Sequence, residues 1–101
     1  MILLEAGLGS TGSWAAACES GAHVLIRGTV QQIIVTNMGT DLAVGVPSLD
    51  CRQIKLMVRG AGTCRIGASI RATGVMFRNE GRWQLESFAD PLDFIRNFSC
   101  A

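Results

Sequence analysis

Apolar and polar positions alternate along most of this chain, with the period of two that half-buried strands require. In residues 22–37, AHVLIRGTVQQIIVTN, Val24, Ile26, Gly28 and Val30 share one side, while His23, Arg27, Thr29 and Gln31 share the other. Leu25 is an apolar exception on the polar side. At Gln31-Gln32 the phase slips by one, so that Ile33 and Val35 become the apolar set. One extra residue in a strand produces a bulge or a sharp bend, and Gly28 removes a side chain where such a bend needs room. Asn37-Met38-Gly39 predicts a turn. Leu42, Val44 and Val46 then alternate inward until Pro47-Ser48 interrupts the run.

The next two runs keep the same period. Across residues 53–59, Ile54, Leu56 and Val58 face in, while Gln53, Lys55, Met57 and Arg59 face out. Gly60-Ala61-Gly62 forms a loop. In residues 68–77, Ala68, Ile70, Ala72, Gly74 and Met76 alternate with Ser69, Arg71, Thr73, Val75 and Phe77. Asn79-Glu80-Gly81 predicts a hairpin turn, after which Trp83 and Leu85 point inward from a fifth run, residues 82–88.

Two helices are expected outside the strands. Residues 14–20 predict a short one, with Ser13 as N-cap and Gly21 as stop. Asp90-Pro91 opens a second, with Asp90 as N-cap, Pro91 in the first helical position and Asp93 in the first turn. Leu92, Ile95 and Phe98 or Ser99 follow helical spacing there. The expected organisation is an N-terminal extension with a short helix over residues 1–21, a barrel over 22–89, and a C-terminal helix over 90–101 that packs on it.

Five short strands with little helix indicate an all-β barrel or sandwich. A long, bent first strand favours a five-stranded barrel, in which one strand must serve both halves. VLIRGTVQQI, then QIKLMVRG, then RIGASIRATGVMFRNEGRWQLESF resemble the OB-fold (oligonucleotide/oligosaccharide-binding) pattern. Its recurrent features are a first strand entering through x-G-x-V, a hairpin of strands two and three, a Gly-led fourth strand, and a fifth strand that closes a Greek-key barrel. The resemblance covers about residues 23–88, roughly two-thirds of the chain. Residues 60–66 are too short for the helix that many OB-folds carry between strands three and four, and the Trp14 or 94–98 segments are candidates to plug the barrel instead. An SH3-like barrel is the competing architecture.

Composition places this pattern in a globular domain. The chain has 101 residues, 49% hydrophobic and 17% charged, which excludes an unfolded chain. No apolar run approaches the ~20 residues of a membrane helix, and the expected location is cytoplasmic, with no membrane partner. The start, MILLEAGLGSTGSWAAAC, has no basic region and carries Glu5 early, so it does not read as a signal peptide. Cys18, Cys51, Cys64 and Cys100 form no C-x-x-C pair and have one lone His23 beside them, so no zinc set is expected. An even count allows disulfides, but this apolar chain can build a core without them, and cytosolic thiols, some buried as small hydrophobes, are the expectation.

The net charge of +1 conceals an asymmetry. Residues 51–82 hold Arg52, Lys55, Arg59, Arg65, Arg71, Arg78 and Arg82 against Glu80 alone, a balance of +6, while both flanking segments are acidic. Such a segment points to a polyanion partner, although arginine also solubilises the outside of strand-rich domains.

No catalytic constellation is present. His23 has no carboxylate or nucleophile near it in sequence, and Asp90 and Asp93 are explained by helix capping. Gly60-Ala61-Gly62 lacks the Lys-Ser/Thr ending of a phosphate loop. No enzyme activity, metal or cofactor is expected.

The OB resemblance implies binding of single-stranded DNA or RNA across strands two to four with low sequence preference. It implicates Arg27, Arg52, Lys55, Met57, Arg59, Arg65, Arg71, Phe77, Arg78 and Arg82. Aromatic stacking platforms are scarce, since the chain has no Tyr. The competing expectation is a protein-assembly role, as a subunit of a larger complex or a homo-oligomer, through outward Leu25, Met57, Val75 and Phe77.

Overall fold

The computed structural model describes residues 17–87 and 94–101. Six strands follow in chain order: β1 (His23–Val35), β2 (Thr40–Gly45), β3 (Gln53–Val58), β4 (Ser69–Asn79), β5 (Arg82–Glu86) and β6 (Phe98–Cys100). Neighbours run β1-β2-β3-β5-β4, and β1 pairs again with β4, which closes a five-stranded barrel. All these pairings are antiparallel except β3 with β5, which is parallel. This closed, mixed barrel is consistent with an OB-like topology. β6 lies beyond the barrel circuit, antiparallel to the first half of β4.

The alternation translates directly into burial. Val24, Ile26 and Val30 of β1, Leu42 and Val44 of β2, Ile54, Leu56 and Val58 of β3, Ile70, Ala72 and Met76 of β4, and Leu85 of β5 fill the interior. Each such Val, Leu or Ile stabilises the fold by about 1.5–3 kcal/mol relative to exposure. Trp83 is half-buried and packs against this core. The phase slip in β1 is a bulge. Val30 faces Val44 and Gln32 faces Ala43, so Gln31 is the extra residue. β1 pairs with β4 before the bulge and with β2 mainly after it, so the bend lets one strand serve both sides. Gly28 lies where β2 crosses closely, and a Cβ there would overlap the Gly45 carbonyl oxygen. Beyond the bulge Ile33 still packs on the core, but Val35 is 77% exposed, because the end of the β1–β2 hairpin runs past the barrel. The β4–β5 hairpin turns on Glu80 and Gly81, both at positive φ, as a two-residue turn matching strand twist requires.

No described residue is helical. Ala17–Glu19 have no regular structure and Ser20-Gly21 form a turn, while Trp14 lies outside the described residues. Phe94–Asn97 have no regular structure and Phe98–Cys100 are strand. The expected start of the C-terminal helix at Asp90, Pro91, Leu92 and Asp93 also lies outside the described residues. The helical spacing over Ile95 and Phe98 is therefore not used as a helix at its C-terminal end. The first half of β4 offers an unpaired edge beside the place where β5 ends, and ladder hydrogen bonds there satisfy backbone groups that a helix would satisfy internally. Ile95 is nevertheless buried. Its N–H donates to the Met57 carbonyl at 2.9 Å, and its side chain approaches Gly74 and joins the core.

The cysteines correct the expectation of free thiols. Cys18 is bonded to Cys51 and Cys64 to Cys100. The first bridge fastens the segment before β1 to the β2–β3 loop, where the Cys18 N–H also donates to the Asp50 carboxylate at 3.1 Å. The second fastens β6 to the β3–β4 loop.

Candidate binding surfaces

Because Ile54, Leu56 and Val58 point inward, β3 presents Lys55 and Met57 outward, as the alternation requires, and exposed Arg59 follows directly after its end. Their surroundings decide what these side chains can hold. Lys55 is half-buried between Ala43 of β2 and Gln84 of β5. Gln84 donates to the Glu86 carboxylate at 2.7 Å. Met57 sits opposite Asp41. The outer face of β2, β3 and β5 thus carries acids as well as Lys55. Arg59 lies at its edge with its guanidinium 5.0 Å from the centroid of the Phe94 ring, a ring seated against Gly39. Gln53 donates to Gln31 at 2.8 Å, and the bulged Gln31 side chain lies over Gly45, which has no Cβ to obstruct it.

Arg27 and Arg71 occupy a different surface. They face each other directly across the β1–β4 pairing. In a five-stranded circuit β1 and β4 are each two strands from β3, so this seam is on the far side of the barrel from Lys55. Arg78 projects from the β4–β5 hairpin with its guanidinium 5.9 Å from the Trp83 ring, and exposed Arg82 pairs with Asn79 at the same turn. Phe77 is half-buried beside Gln84. Arg52 and Arg65 are exposed in the β2–β3 and β3–β4 loops. The ten residues singled out in the sequence are therefore distributed over several faces. Lys55, Met57 and Arg59 share one, Arg27 and Arg71 another.

The apolar group named for assembly is divided too. Met57 is on β3, whereas Leu25 and Val75 lie on the β1–β4 seam. Other exposed apolar residues gather at the end of the β1–β2 hairpin. Ile34 is 48% exposed, Met38 74% and Val35 77%, and the register runs from Ile34 across Asp41 to Met57. The turn itself is held by Thr36, whose hydroxyl accepts from the N–H groups of Met38 and Gly39 at 3.2 Å. Sequence periodicity placed Ile33 and Val35 as one inward set. Nothing local signals that the strand outlasts the core.

A shallow groove of about 220 Å³ crosses the outer side of β4. Leu25 lies on one side, Arg71 and Thr73 at the centre, and Asn97, Phe98 and Ser99 on the other. Its far wall is a strand, β6, where the helical spacing of Ile95 and Phe98 predicts a helix.

The potential metal-ligand group Cys18, Asp50 and Cys51 lies within 4.8 Å, but both sulfurs are joined to each other. Among the described residues no helix is long and apolar enough to cross a membrane. The chain matches no protein-family model, no curated protein and no solved structure.

Proposed function

We propose that this chain is a non-catalytic, OB-like binding domain of an oxidising compartment, and that the partner of its β1–β2 end is a protein. The observation that carries the proposal is exposed Ile34 and Met57, in line across Asp41 on the outer face, with Val35 and Met38 exposed at the same end of the hairpin. Exposed apolar side chains gathered at one end of a fold mark interaction surfaces, and the pliable methionines adapt to a partner's shape. The acid in this row, Asp41, repels a phosphate backbone and is neutral toward a protein. The two disulfides support an oxidising compartment over the cytoplasm expected from composition.

The test places a photo-crosslinking residue at position 38 in the native host. The expected result is one discrete protein adduct, lost when Ile34→Asp is added. Absence of an adduct overturns the proposal.

A second reading, single-stranded nucleic acid, is favoured by the seven cations of residues 51–82. It predicts oligonucleotide binding at low salt that weakens steeply as salt rises. A Lys55→Ala/Arg59→Ala pair would then lower both the affinity and the salt slope. No binding at low salt eliminates this reading.

A further inference from the structure

We propose that the outer face of β1, β4 and β6 is a binding site for a tetrahedral oxyanion, a phosphate or sulfate group, gripped by Arg27 and Arg71. Two like charges directly opposite each other in an antiparallel pair are mutually destabilising, and a shared anion removes that repulsion. The residues around the pair in the register are Leu25 and Thr29 on β1, Ser69 and Thr73 on β4, and Ser99 on β6. None is acidic, so the two guanidiniums meet no carboxylate among their register neighbours. Planar guanidinium forks match oxyanions in a bidentate manner, which ammonium groups cannot do.

The neighbouring groove supplies the remaining chemistry. Thr73 and Ser99 bring hydroxyl groups and Asn97 brings an amide beside Arg71, while Leu25 and Phe98 give an apolar flank. The shallow groove, about 220 Å³, has room for an oxyanion and a small attached body. The wall formed by β6 is fixed on two sides. Its ladder pairs Arg71 with Ser99 and Ala72 with Phe98, and Cys100 is bonded to Cys64. Arg27, Arg71, Thr73 and Ser99 are thus presented by paired strands, with Asn97 just before β6, which favours a preorganised site. This site is independent of the protein-binding proposal, because Met57 lies on the opposite side of the barrel.

The test is a titration of the isotope-labelled, oxidised protein with inorganic phosphate, followed by amide NMR and compared with sodium chloride at equal ionic strength. Saturable shifts at Arg27, Arg71, Thr73 and Ser99 with phosphate, and not with chloride, are expected. Arg71→Gln and Arg27→Gln should each weaken the binding at least tenfold while leaving the rest of the spectrum unchanged. Equal response to chloride, shifts that never saturate, or an Arg71→Gln variant that titrates like the parent overturns the proposal. A second arm distinguishes the source of the oxyanion. A short single-stranded oligonucleotide that competes with phosphate at these amides makes it a phosphodiester, and failure to compete assigns the site to small free anions.

Discussion

At the scale of single residues, one close approach between barrel strands requires a glycine. A Cβ at Gly28 would overlap the Gly45 carbonyl oxygen and come within 2.8 Å of the Val44 side chain. The first obstacle is backbone in a neighbouring strand, which cannot rotate away. Gly28→Ala is therefore expected to destabilise the protein by about 1–3 kcal/mol, the usual range for overpacking. Gly60 is the control, since a Cβ there meets nothing within 4 Å. Gly60→Ala is expected to change stability by no more than about 0.5–1 kcal/mol, and in the stabilising direction if its backbone angles suit alanine. Urea unfolding of both variants checks the pair. Equal midpoints would show that the bend of β1 does not depend on the missing side chain. Gly28 was singled out from sequence because it sits three residues before the phase slip. Which backbone atom it makes room for was not legible, because β2 approaches from a segment seventeen residues away.

At the scale of elements, β6 shows how a three-residue strand is held. Such a strand is marginal alone, and its ladder on β4 is supported by the Cys64–Cys100 bond, which spans 36 residues. The chain-entropy model gives roughly 3–4 kcal/mol for a loop of that size at 25 °C. Replacing both cysteines by alanine should lower unfolding free energy by about that amount. Hydrogen exchange at Ser99 and Ala101 should accelerate, while exchange on β2 and β3 stays slow, because the barrel circuit does not include β6. Uniform acceleration would mean instead that β6 and the barrel open as one unit. The same substitution should weaken phosphate binding if Ser99 and Asn97 supply donors, which links this element to the groove.

At the scale of the whole molecule, closure joins residues far apart in sequence. β1 pairs with β4 from His23 with Val75 to Thr29 with Ser69, and β3 pairs with β5 across an intervening loop and strand. Loop-closure entropy opposes such contacts before they become stabilising. Refolding of the disulfide-intact protein is therefore expected in the millisecond-to-second range of non-local β-proteins. Stopped-flow tryptophan fluorescence measures it, with Trp83 reporting on the core. A microsecond phase accounting for the full amplitude would contradict this expectation. Closure also determines the distribution of charge. A positive segment that is continuous in sequence is distributed around the circuit, with Lys55 on one side and Arg71 on the other.

The sequence by itself determined the five barrel strands, most of their inward residues and the bulge. Each of these follows from the period of side chains along an extended backbone and from local steric needs, as Ile54, Leu56 and Val58 and the slip at Gln31 illustrate. Only the tertiary structure decided the pairing of Cys18 with Cys51 and of Cys64 with Cys100, because bridge connectivity depends on which chain segments meet in space. It likewise decided the strand character of Phe98–Cys100, where an open edge on β4 outweighs a helical spacing. It also decided that Arg27 and Arg71 stand opposite each other while Lys55 does not join them. Alternation reveals which side of its own strand a residue occupies. Only closure of the barrel determines which outward residues become neighbours.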